Sequence, residues 1–138
     1  MPHISSKKIP DEHFNSIYKQ LISICNTAGQ KREADILFKE LLTETEKMML
    51  AKRLAIIYML SEGVSEYYIS ETLFVSPSTV SRISLSYESG RCSYIQKIIK
   101  KNKETVWQAI EKIISYSVEM HTGKGRWKWF NEMQKKHN

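Results

Sequence analysis

The chain carries little punctuation. Five glycines and three prolines serve 138 residues, too few for the many tight turns of an all-β sandwich or barrel. No Asn-Gly or Asp-Gly pair occurs, and no series of alternating apolar and polar residues accompanies one, so hairpins are excluded as the organising unit. Two cysteines, Cys25 and Cys92, cannot build a disulfide scaffold or a zinc site, and are expected as free thiols in a reducing compartment. No apolar run approaches the ~20 residues needed to span a bilayer, and none at the N-terminus reads as a signal peptide. A soluble, cytoplasmic protein without membrane partners is expected.

Chemistry is equally sparse. The four histidines, His3, His13, His121 and His137, show no i, i+4 pairing and no cysteine at ligand spacing, so no metal site is expected. There is no glycine-rich phosphate loop and no nucleophile elbow. Five of the fifteen carboxylates sit four residues from Lys or Arg, as surface charges on helices do. Neither an enzyme nor a cofactor is expected.

What is present is a globular composition with an uneven charge. Apolar residues make up 41% and charged residues 26%, with a formal net charge of +6. One domain is the expected scale. Residues 1–90 hold 10 Lys/Arg against 11 Asp/Glu, whereas residues 91–138 hold 11 against 4. The basic excess therefore lies in the last third, either as a phosphate-contacting extension or as a solvated surface. The spacing divides the chain into a polar arm over 1–10, a helical core over 11–90 and a basic helical extension over 91–138.

Helical periodicity runs almost throughout. Asp11 is placed to cap a helix whose Phe14, Ile17, Tyr18, Leu21, Ile22 and Cys25 form one apolar stripe, with a stop at 26–29. A shorter helix carries Ala34, Leu37, Phe38 and Leu41. Thr43 to Glu46 reads as a capping box, opening the most apolar helix, which ends at Gly63 and is the expected centre of the core. Ser65-Glu66 opens a helix with Ile69 and Leu73, Phe74-Val75 turns the chain, and Ser76-Pro77 pairs an N-cap with proline at the first helical position. A linker is expected over 87–93. Beyond it come one broken helix or two, with Val106, Trp107, Ile110, Ile113, Ile114 and Val118 on the apolar face and glycines 123 and 125 as the stop. The fold class is all-α.

The stretch 65–86 has the form of a helix-turn-helix. Ile69 and Leu73 face inward from the first helix, Val75 wedges the turn, and Val80 and Ile83 face inward from the second. Ser78, Thr79, Ser81 and Arg82 are left outward. Small hydroxyl residues allow close approach to base edges, and arginine pairs with guanine or phosphate. The alternative is a pair of short core helices with a solvated polar face.

The run Leu41-Leu42-Thr43-x-x-Glu46, then Leu50, Arg53 and Ile57, Leu60 to Gly63, Ser65, Ile69, Leu73 and Ser78-Thr79-Val80-Ser81-Arg82 resembles the tryptophan-repressor superfamily over residues 37–86. The likeness is greatest to its repressor-like branch, whose recognition helix reads Val-Ser-x-Ser/Thr-Thr-Ile/Val-Ser/Thr-Arg. The resemblance implies an intertwined, all-helical homodimer that binds double-stranded DNA and represses transcription, associated with a bacterial nucleoid. Its DNA-facing positions correspond to Tyr67, Ser70, Pro77, Ser78, Thr79 and Ser81. Tyr67 and Ser70 stand where the tryptophan-responsive member is basic, which weakens the expected phosphate contacts of the first helix.

The positions that hold tryptophan in that member correspond to Thr43, Arg53 and Arg82, a partial match to amino-acid carboxylate binding. The residue after Arg82 is glycine there and Ile83 here, where a branched side chain takes the space of the indole. Tryptophan is therefore not expected as corepressor, and Arg53 is expected in a structural ion pair or on backbone carbonyls. An amino-acid-responsive repressor, a protein-docking module with a basic tail, and a targeting subunit in DNA rearrangement are the alternatives. The cluster from Arg126 to Phe130 reads either as a basic-aromatic arm or as packing residues.

Overall fold

A computed structural model describes residues 6–120 together with 131, 132 and 135. Within these residues the chain is all-α. Seven helices follow one another: α1 (Asp11–Gln30), α2 (Ala34–Leu41), α3 (Glu44–Ser61), α4 (Glu66–Leu73), α5 (Pro77–Glu88), α6 (Ser93–Lys101) and α7 (Lys103–Met120). Two compact units result, Met1–Lys47 and Met48–Asn138.

In the first unit, α1 packs against α2. Pro10 rather than Asp11 takes the N-cap position, with no side-chain cap. Asp11 and Glu12 lie in the first turn, where a carboxylate is favoured by the helix dipole. The helix outruns the expected stop and ends after Gln30, where Arg32 adopts a left-handed φ of 58° and Glu33 N–H closes onto the Ala28 carbonyl at 2.8 Å. Leu21, Cys25, Ala28, Ala34 and Leu37 are half-buried, but neither helix has a buried residue. The capping box forms as expected: Glu46 N–H donates to Thr43 Oγ1 at 3.2 Å, and Thr43 N–H to Glu46 Oε2 at 2.7 Å.

The second unit has a closed core. Ala55 to Met59 are all buried, which only a helix covered on several sides can do. Around them gather Val64, Ile69, Leu73, Val80, Ile83, Cys92, Ile99, Trp107, Ile110 and Ile114. At the end of α3, Gly63 takes φ 79° and Val64 N–H bonds back to the Met59 carbonyl, a left-handed helix ending that glycine reaches without steric cost.

Residues 91–117 are part of this core and do not form an appendage to it. The expected linker is only a short turn after α5, with Cys92 buried in it. The helix beyond it is two helices, joined at Asn102. From α7, Trp107, Ile110 and Ile114 are buried against the same cluster as Ile69, and α7 packs on α4. Ile113, expected on the apolar face, is exposed, while Ser117 is buried. The glycines 123 and 125, and the aromatic-basic cluster 126–130, lie outside the described residues.

Candidate nucleic-acid interface

The helix-turn-helix is made by α4, the turn after it and α5. Ser65 caps α4 by accepting from Tyr68 N–H. Phe74 closes α4 in the left-handed region, φ 53° and ψ 48°, an uncommon conformation for a bulky residue. Several contacts hold it there. Val75 N–H bonds to the Ser70 carbonyl at 3.2 Å, the Lys52 ammonium reaches the Phe74 carbonyl at 3.4 Å, and the Phe74 ring meets Tyr116 edge-on at 6.3 Å.

Ser76 then caps α5 by accepting from Thr79 N–H at 3.3 Å, with Pro77 at the start of the helix. Its hydroxyl also shares hydrogen bonds with those of Ser78 (3.1 Å) and Thr79 (2.8 Å). The inward face is the expected one: Val80 and Ile83, one helical turn apart, are buried, with Val75 packed at the margin of the core. On the other side Pro77, Ser78, Ser81 and Arg82 are exposed and Thr79 is half-buried.

Of the two α4 positions, Tyr67 is 63% exposed, its ring edge-on to Tyr68 at 5.5 Å. Ser70 requires a correction. It is 8% exposed, and its hydroxyl donates to the Val75 carbonyl at 2.7 Å. The side chain expected to face DNA instead ties α4 to the turn.

The residues matched to ligand binding have other surroundings here. The Thr43 hydroxyl serves the capping box of the first unit. Arg53 and Arg82 are exposed, on α3 and α5. Among the described residues Arg53 makes neither the expected ion pair nor a bond to a backbone carbonyl. Ile83 is buried within the core cluster, so its side chain fills protein interior.

Two features had no local signal in the sequence. Glu66, the first residue of α4, accepts a hydrogen bond from the Ser81 hydroxyl at 2.7 Å. Its carboxyl is held below the usual range first by Ser81 and then by Ser84. The other is an ion pair, Lys103 to Glu62 at 3.5 Å, with the Glu62 side chain 5% exposed and that of Lys103 41%. Nearby, burial pushes the Tyr58 phenol well above its ordinary range, with the carboxylates of Glu62 and Glu104 adding to the effect. Only folding brings either set together.

Among the described residues no cluster of His, Cys, Asp and Glu could hold a metal ion, and no helix is long and apolar enough to cross a membrane. Residues 16–103 match the family described as Trp repressor protein. No curated protein and no solved structure matches the chain.

Proposed function

The chain belongs to the Trp repressor family, one of helix-turn-helix DNA-binding regulators, and from that premise we propose that it is a homodimeric, sequence-specific repressor that sets α5 into the major groove of double-stranded DNA. The observation that carries this reading is the division of α5 into two faces. Val80 and Ile83 are buried, while Pro77, Ser78, Ser81 and Arg82 stand exposed beyond a rigidly capped turn. Such a helix is anchored from behind and offers small side chains and one arginine outward, as groove entry requires. Tyr67 and Thr79 flank that surface. Protein of this kind works in the bacterial cytoplasm, on the nucleoid.

Dimerisation is supported by the apolar residues that α1 and α2 leave uncovered, Phe14, Ile17, Tyr18, Ile24, Ile36 and Phe38 among them. A second copy would cover such a face and place two copies of α5 on one duplex. Tryptophan is not part of the proposal, because Ile83 packs into the core at the position where that ligand needs space.

Selection from a random duplex library at about 150 mM salt tests the proposal. The expected result is a near-palindrome with half-sites about one helical turn apart, unchanged by added L-tryptophan. Binding should weaken with salt at a log–log slope of about −0.9 per phosphate neutralised. A folded protein that enriches no motif, with or without amino acids, would overturn the reading and leave a protein-docking module in its place.

A further inference from the structure

Glu66 stands at the N-terminus of α4, yet its carboxylate is bound to α5. Ser81 donates to Glu66 Oε2 at 2.7 Å across fifteen positions of sequence, and Ser84 is a second, lesser influence that lowers the same carboxyl. Ser81 and Ser84 are one helical turn apart, the former exposed and the latter buried. The carboxylate therefore ties α4 to an exposed hydroxyl of α5.

That arrangement decides what Ser81 offers to a partner. A serine hydroxyl has one proton and two lone pairs. With the proton given to Glu66, only lone pairs remain for anything approaching from outside. The negative charge directly behind Ser81 also disfavours a phosphate oxygen at this spot, since like charges at such short range repel. In the major groove the groups that donate are the amino groups of adenine N6 and cytosine N4. Arg82, the next residue, is exposed and can only donate. Adjacent positions on α5 thus present opposite hydrogen-bonding characters.

We infer that Ser81 reads a base as an acceptor, with Glu66 as the positioning residue that fixes its polarity, so that each half-site carries adenine or cytosine where Ser81 faces it. This rests on the DNA-binding reading above. Ser78 and Thr79 are not equivalent to Ser81, because their hydroxyls share hydrogen bonds with Ser76 in which either partner can donate.

The test is the same duplex selection on the full chain, run in parallel with Ser81→Ala and Glu66→Ala. Ser81→Ala changes an exposed helical position, where alanine is well tolerated, and thermal melting followed by circular dichroism verifies that both variants fold. The wild type is expected to hold one position per half-site to an amino-bearing base, by about fivefold or more. Ser81→Ala should flatten that position and leave the rest of the motif. Glu66→Ala should loosen the same position only, because a freed hydroxyl can also donate to guanine or thymine. A uniform loss across all sequences in Ser81→Ala would overturn the inference in favour of a phosphate contact. An unaltered preference in Glu66→Ala would overturn it too, leaving the carboxylate as a brace. A wild type that selects no motif would remove the DNA-binding reading itself, whereas a motif untouched by both variants would sink this inference alone.

Discussion

The two compact units differ in whether their apolar residues close a core. In the second, Ile56, Tyr58, Met59, Ile69, Val80 and Ile114 are all but inaccessible to solvent. In the first, Ile17 is 61% exposed and Phe38 44%, and no residue of α1 or α2 is buried. Composition does not explain this, because both have helices with clear apolar stripes. The difference is closure: α3 to α7 supply enough helices to surround a core, whereas a pair of helices cannot cover its own outer face. Burying one Leu- or Phe-sized side chain is worth about 1.5–3 kcal/mol, so covering several such residues would strongly favour association. This apolar face is the one that the proposed second copy would cover. The second unit closes a core within one chain, although Leu50, Leu85 and Tyr94 on it are also exposed, and the first unit closes none.

The largest expected effect tests the closed core. Trp107 is buried in the core although it belongs to the basic last third of the sequence. Trp107→Ala should destabilise the protein by about 3–5 kcal/mol, the usual range for emptying a large aromatic site. Urea unfolding measures it. A loss within about 0.5 kcal/mol, as for surface positions, would mean that α7 is appended to the core and the comparison fails on this side.

The first unit gives the next effect. Phe38→Asp adds a charge to a side chain already exposed within one chain, so it should leave secondary structure intact. In a dimer that covers this face it should weaken self-association by at least about tenfold, equivalent to about 1.4 kcal/mol. Sedimentation of wild type and variant over a dilution series reads this directly, and the melting temperature of the wild type should rise with concentration. Identical monomeric sedimentation of both would show that the exposed face of the first unit does not mediate self-association.

How far these features could be read in advance depends on the range of the interactions that make them. Capping at Thr43, Ser65 and Ser76, the glycine ending of α3 and the inward positions Val80 and Ile83 depend on neighbours three or four residues away, and periodicity exposes them. Ser70 did not follow from its position. A resemblance places it outward, but the loop after Phe74 folds back, and the Val75 carbonyl takes its hydroxyl. Glu66 and Ser81 are fifteen residues apart, and nothing in either stretch announces the other. The role of residues 91–117 was hidden for a different reason. Charge marked them as an extension, but Lys97, Lys100, Lys101 and Lys112 are exposed while Ile99, Trp107 and Ile110 are buried. Net charge describes a surface and says nothing of what the other face of a helix packs against.

The smallest effect sharpens the comparison through acid titration, because among the described residues each unit has one carboxyl held below its ordinary value. Glu46 in the first unit is lowered by the Thr43 backbone N–H and then the Thr43 hydroxyl, three residues away. Glu66 in the second is lowered by Ser81 and then Ser84, which only the folded state brings near. A lowered folded pKa means that the unfolded chain binds more protons in the window between the two values. The stabilisation is therefore complete above about pH 4.5 and is lost as pH falls through the folded value. Replacing either residue by glutamine removes its titration, so the stability gap between wild type and variant should shrink on acidification from pH 6 to pH 3. The two should differ in origin. In a Ser81→Ala, Ser84→Ala background, Glu66→Gln should no longer alter the acid slope, because the groups that lower its carboxyl are gone, while Glu46→Gln should act as before. Urea midpoints across this pH range supply the measurement. An acid slope still sensitive to Glu66 in that background would mean that something other than the two serines holds the carboxylate. The bridge between α4 and α5 would then lose its energetic support, while the local cap at α3 would stand.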